Sequence, residues 1–239
     1  MNPRTYGKIA VGAGILCCLH PQILRISGTT VTVKAGKDLL SSGHCHTGYA
    51  GRILADPCCG SGTIPIEAAM IGRNIAPGIS RRFASEEWEA IPKEIWKEER
   101  KAAYAAIDYD TELEIYGSDI DGKAVAAARE NALAAGVDDC IKFTRLDIKD
   151  FRAQAPSGII ISNPPYGERI GEEKAIAAIY SAYNKFFKEN PSWSLFLITT
   201  DKTVEQKIFG READRRRKLY NGRLEVCYYQ FHGERPQRR

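Results

Sequence analysis

The stretch RILADPCCGSGT, Arg52 to Thr63, constrains the fold of this chain more than any other. A short apolar run, Arg52 to Ala55, stops at an acidic residue, Asp56, and opens into a glycine-rich turn. A helical segment from about Thr63 through Met70 follows. Strand, tight turn and helix in that order form the first half of a crossover unit, which calls for a parallel sheet. Downstream, apolar runs and helical segments keep alternating. Glu114 to Gly117 reads as a second strand and Asp121 to Ala135 as an alanine-rich helix closed by Gly136. Ile141 to Arg145 and Gly158 to Ser162 read as a third and a fourth strand. A helix from about Lys174 to Lys188 is stopped by Asn190-Pro191, and Ser194 to Thr199 is a further strand. Leu224 to Phe231 alternates as a closing strand, one arm of a hairpin with its turn at Leu219 to Gly222. The class is therefore α/β.

Between the first helix and the second strand lies an insertion, about Arg73 to Thr111, rich in charge. It carries Trp88 and Trp96, whose spacing predicts a shared helical face packing the insertion onto the domain. The first fifty residues say less: Thr29 to Val33 reads as a strand and Gly36 to Gly48 as a loop.

At 239 residues the chain suffices for one α/β domain, or one with a short appendage. No apolar run approaches the roughly 20 residues of a membrane span. The stretch from Ile9 to Leu19 behind Arg4 and Lys8 lacks a cleavage site, so no secretory signal is expected. Seven cysteines, an odd number with adjacent pairs at Cys17-Cys18 and Cys58-Cys59, do not make a disulfide framework and fit a reducing cytoplasm. His44, Cys45 and His46 lack the spacing of a metal site, and no metal is expected. The net charge of +4 is modest, but Arg211, Arg215, Arg216, Arg217 and Lys218 cluster, as do Arg235, Arg238 and Arg239. Such clusters suit a phosphate backbone, although a solvated helix face has the same composition.

The chemistry is carried by residues at successive strand ends. Glycines let backbone amides approach a ligand, and a helix start favours anionic groups. The spacing of Gly60, Ser61, Gly62 and Thr63 differs from that of a dinucleotide fingerprint, and Asp56 and Cys58 precede it directly. This suits an amino-acid moiety, with Asp56 facing the ammonium and the amides of Gly60 to Thr63 facing the carboxylate. The second strand ends at Asp119-Ile120, where a carboxylate can accept both hydroxyls of a ribose. The third runs into Leu146-Asp147-Ile148, where Asp147 can accept from an adenine amino group between apolar neighbours. The fourth delivers Asn163-Pro164-Pro165-Tyr166. Two prolines stiffen the backbone and free carbonyls to accept. The Asn163 side-chain oxygen and the Pro164 carbonyl can take both hydrogens of a planar amine and turn its lone pair toward a sulfonium methyl, while Tyr166 stacks on the ring. Positioning and electrostatics suffice, and no general base is demanded.

In the order DPCCGSGT, GSDID, LDI and NPPYGERIG, the chain resembles the class I methyltransferases, specifically the large-subunit ribosomal RNA guanine-N2 methyltransferases, often labelled adenine-specific DNA methylases. The insertion APGISRRFASEEW (Ala76 to Trp88) and the ending RKLYNGRLEVCYYQF (Arg217 to Phe231) share the resemblance. It implies a Rossmann-like, mostly parallel seven-stranded sheet with helices on both faces and a C-terminal antiparallel hairpin, filling residues 51–234. It also implies S-adenosylmethionine as cofactor, RNA as partner and guanine-N2 of 23S ribosomal RNA as target. Adenine-N6 in DNA, or a non-catalytic remnant, are the alternatives. Two departures stand out. Cys58 occupies a position where the family has Phe, and residues 1–50 resemble neither the family's RNA-binding THUMP domain nor its KRGYR-like segment, so a truncated or rearranged member is expected.

Overall fold

A computed structural model describes residues 24–26, 29–31, 53–166, 172–221 and 224–234. His44, Cys45 and His46, the Gly36 to Gly48 loop, Cys17-Cys18, Gly167 to Gly171 and the terminal Arg235, Arg238 and Arg239 lie outside these residues. A short antiparallel pair, β1 (Leu24–Ile26) and β2 (Thr29–Val31), lies against the first helix of the main body and its last-but-one strand.

The main body is a seven-stranded sheet in which β3 (Ile53–Asp56), β4 (Ile115–Asp119), β5 (Ile141–Arg145), β6 (Gly158–Ser162) and β7 (Ser194–Thr199) run parallel. The hairpin β8 (Arg215–Asn221) and β9 (Leu224–Phe231) adds an antiparallel edge, giving the order β5-β4-β3-β6-β7-β9-β8. Strands β3, β6 and β7 are buried along their whole length, as expected of parallel strands covered on both faces. Alternate residues feed two cores. Leu54, Ile115, Ile159, Ile161, Phe196 and Ile198 pack with helices α1 (Thr63–Gly72) and α3 (Gly122–Ala135), whereas Ile53, Ala55, Ile160, Leu195 and Leu197 pack with α4 (Glu172–Glu189) and α5 (Val204–Ile208).

Local chemistry explains these boundaries. Asp121 caps α3 by accepting from the Lys123 amide at 2.9 Å, and Gly136, at φ 70°, closes it in the left-handed region. Helix α4 presents Ile176, Ile179, Tyr180, Tyr183, Phe186 and Phe187 at helical spacing to one core.

Some sequence-based expectations need correction: Leu219 to Asn221, expected in the hairpin turn, continue β8 and pair with Val226, Glu225 and Leu224. Trp88 and Trp96 do not share a helical face. Helix α2 (Lys93–Ala105) begins after Pro92, so Trp96 is buried against Phe83, whereas Trp88 lies in extended backbone and is 62% exposed. The cluster Arg215 to Lys218 is an edge strand rather than a helix face. The insertion itself starts at the buried Arg73, which grips Asp139 before β5 with two bonds of 2.8 and 2.6 Å.

Candidate active site

The order of the sheet reverses between β3 and β6: chain-consecutive strands lead away from β3 on one side, and later ones on the other. Ligands of open α/β sheets bind in the crevice outside the carboxyl ends at such a point. Asp56 ends β3, and Ser162-Asn163 end β6 next to it.

Asp56 is 2% exposed. Its Oδ1 accepts from the Cys58 amide at 3.1 Å and from the Ser162 hydroxyl at 2.8 Å. Burial is the largest influence on it and pushes its pKa up to about 7; Ser162 and Cys58 pull it back, and Asp119 adds to the rise. Ionised, Asp56 bears a desolvation cost that its two donors offset only in part. Cys58 and Cys59 are raised far above an ordinary thiol, first by burial and then by Asp56 and Asp119, so neither is a thiolate nucleophile.

The turn after Asp56 is held from β4. The Gly60 amide donates to Asp119 Oδ2 at 3.0 Å, the Asp121 amide donates to Asp119 Oδ1 at 2.9 Å, and the Cys59 amide donates to the Ser118 carbonyl. Gly60, at φ 54°, has nothing within 4 Å of where a Cβ would stand. Gly62, at φ 84°, is the opposite case: a Cβ there would meet Ala128 and Phe143 at 2.9 Å, so glycine lets α1 start this close to α3 and β5. Since Gly60 and Gly62 donate within the protein, Ser61 and Thr63 remain as the amides at the helix start.

Ile120 follows Asp119 and is 63% exposed at the same edge of the sheet. Asp147 accepts from the Lys149 amide at 3.1 Å and pairs with its ammonium at 3.0 Å; these contacts, the amide first, hold its carboxyl below the usual range. Ile148 is half-buried beside it.

In the Asn163-Pro164-Pro165-Tyr166 turn, Pro164 is buried and Pro165 exposed, with Asn163 and Tyr166 half-buried. The Tyr166 hydroxyl donates to Asn163 Oδ1 at 2.6 Å, engaging one lone pair of the acceptor expected to receive an amine hydrogen. Three contributors escape sequence reasoning. Ser162 bonds Asp56; Gly117 is required because a Cβ there would meet Phe143 at 2.5 Å; Tyr183 approaches the loop from α4. The only signal for Ser162 is a lone polar residue closing the apolar strand GIIIS.

Fold and site together define a Rossmann-like methyltransferase domain: the sheet with its antiparallel edge, and the loop and turn facing each other at the switch point. The chain belongs to the RMKL-like methyltransferase domain family, whose model matches residues 46–230. It is 45% identical over 189 residues to YpsC of Bacillus subtilis, provisionally named an RNA methyltransferase, covering 79% of this chain and 49% of that protein. It is 34% identical over 242 residues to the ribosomal RNA large subunit methyltransferase K/L of Shewanella amazonensis, covering 97% of this chain and 34% of that protein. The chain thus spans about half or less of the curated relatives it matches. Among solved structures it resembles SMU.472, provisionally named a methyltransferase and crystallised with SAH, at 44% identity and a TM-score of 0.74, covering 85% of this chain and 52% of that one. No helix among the described residues is long and apolar enough to cross a membrane.

Proposed function

We propose that residues 51–234 form a domain that transfers a methyl group from S-adenosylmethionine to an exocyclic amine of RNA, namely guanine-N2 of the large-subunit ribosomal RNA. One observation carries the reading. Asp56 ends β3 and Asn163 follows the last residue of the neighbouring β6, Ser162, whose hydroxyl reaches Asp56 at 2.8 Å. A cationic amino-acid group at one and a planar amine at the other would lie side by side.

The residues fit the cofactor. Asp56, raised by burial, is stabilised by an ammonium; Ser61 and Thr63 offer amides to a carboxylate at the start of α1. Cys58 and Gly60 shape the wall of the loop, and Gly60 leaves space toward the ligand. Asp119 keeps lone pairs for ribose hydroxyls beyond its bonds to Gly60 and Asp121. Ile120, exposed without an apolar partner to explain it, and Ile148 cover the two faces of adenine, with Asp147 accepting from its amino group. When bound, the cofactor supplies an electrophilic sulfonium methyl. Asn163 Oδ1 and the Pro164 carbonyl accept the amine hydrogens, Pro165 stiffens the turn and Tyr166 stacks on the base. Entry of the amine exchanges one acceptor bond for another, from the Tyr166 hydroxyl to the substrate.

RNA as partner is supported by the names of the K/L relatives and YpsC. On β8, Arg215 and Arg217 are exposed and, among the described residues, have no ion pair, whereas Arg216 and Lys218 pair with Glu205 and Glu225. Unpaired guanidiniums on a sheet edge suit phosphates. A cytoplasmic setting follows from an RNA substrate. Incubation with methyl-labelled cofactor and either unmodified large-subunit RNA or duplex DNA tests the reading. Label is expected in RNA; label confined to DNA adenine would replace it with the DNA alternative, and no cofactor binding would leave a non-catalytic remnant.

A further inference from the structure

Helix α4 contributes Tyr183, a residue of the second core that approaches the cofactor loop. It is 1% exposed, and its hydroxyl makes no hydrogen bond of good geometry, although Ser162 and Cys58 stand within its reach and Asp56 lies close by. An unpaired buried hydroxyl costs about 1–3 kcal/mol. Phenylalanine fills the same helix face at 186 and 187, so packing alone gives no reason for the oxygen. The groups it faces converge on one atom. The Ser162 hydroxyl spends its single hydrogen on Asp56 Oδ1, which leaves Ser162 only lone pairs to offer, and the Cys58 amide donates to the same Oδ1. Both anchors fall on Oδ1, so Oδ2 is left for a ligand. Tyr183 is the donor that approaches Ser162 from α4.

We propose that Tyr183 is a positioning residue of the cofactor site: its hydroxyl donates to Ser162 Oγ and completes a relay, Tyr183 to Ser162 to Asp56, that fixes Oδ1 and presents Oδ2 to the ammonium of the cofactor's amino-acid end. The relay closes when that end is bound, so a cost carried by the empty protein is released on binding. The inference rests on the reading of Asp56 as the ammonium partner. It adds a residue from the opposite core that touches neither cofactor nor substrate.

The test compares dissociation constants, by calorimetry, for S-adenosylhomocysteine and for 5′-methylthioadenosine, which has the same adenosine but no amino-acid group. In Tyr183→Phe the preference for S-adenosylhomocysteine should narrow roughly 5- to 10-fold, the upper range for one neutral hydrogen bond. Affinity for 5′-methylthioadenosine should not move, and the melting temperature should hold or rise because the unpaired hydroxyl is gone. An unchanged preference, or an equal loss for both ligands, overturns the proposal and leaves Tyr183 a core residue. Ser162→Ala should produce a similar narrowing, and the double variant no more than either alone; additive losses also overturn the relay. Asp56→Asn separates the two levels. If it keeps the wild-type preference, the ammonium reading itself fails; if it abolishes the preference while Tyr183→Phe does nothing, only the relay fails.

Discussion

The glycine loop and the Asn-Pro-Pro-Tyr turn stand side by side at one sheet edge, yet they are held differently. The loop is tied on both flanks: Asp56 anchors it to β6 through Ser162, and Asp119 anchors it to β4 through the Gly60 amide. The turn is stiffened by its prolines and holds its key acceptor through one internal bond, from Tyr166 to Asn163. A seat whose geometry is fixed before the ligand arrives avoids ordering costs on binding. A seat whose acceptor already holds a hydroxyl must share or exchange that bond with each substrate. On the proposed reading, the preformed half serves the cofactor, which is the same in every turnover, and the exchangeable half serves the base.

Substitutions can separate the halves. Asn163→Ala should leave affinity for S-adenosylhomocysteine unchanged while transfer to RNA falls about 100-fold or more, through loss of a positioned acceptor; calorimetry and a labelled-methyl assay read the two, and retained transfer would remove Asn163 from its role. Asp119→Ala should do the reverse. It removes both the tether of Gly60 and the ribose acceptor, so cofactor affinity should weaken roughly 10- to 100-fold, the range for hydrogen bonds to a charged group.

Asp56 gives the loop a pH dependence that the turn lacks. Its pKa in the folded protein is raised to about 7, so its contribution to stability is complete below the unfolded value near 4 and is lost as pH rises through about 7. Ammonium binding needs the ionised form. Affinity for S-adenosylhomocysteine should therefore rise roughly tenfold between pH 6 and 8, with about one proton released at pH 6, measured by calorimetry in buffers of different ionisation enthalpy. A flat profile would mean that Asp56 does not meet the ammonium. The smallest effect belongs to Tyr166→Phe. Losing the hydroxyl frees Asn163 while keeping the ring, and KM for RNA should fall roughly 2- to 10-fold, the worth of one neutral hydrogen bond; a rise would assign the hydroxyl to substrate binding instead.

How much of this is legible in the residues depends on whether a feature is local. Strands β5, β6, β7 and β9 stand where their apolar runs place them, because a buried parallel strand writes its burial as a continuous run and a half-buried one as alternation. The Asp121 cap and the Gly136 stop are equally local. Strand β8 is not legible: RRRKLYN has no apolar run, since an edge strand with a charged face needs none. Periodicity matches Trp88 with Trp96, yet Pro92, the residue before the helix, lies between them. Within the site, the strand-end residues show in the sequence, whereas their partners do not. Ser162 reaches Asp56 across 106 positions and Gly60 reaches Asp119 across 59, and nothing local encodes either contact. Tyr166 on Asn163 is local, yet a motif that fits a stacking ring says nothing of where its hydroxyl rests.

The central claim is that the turn at Asn163 directs a methyl group to an exocyclic amine. Its most direct test is to methylate unmodified large-subunit RNA with isotopically labelled cofactor, digest the product to nucleosides and locate the label by mass spectrometry. The account predicts label on the N2 nitrogen of guanosine. Label on a ring carbon, a ring nitrogen or a ribose oxygen would contradict it.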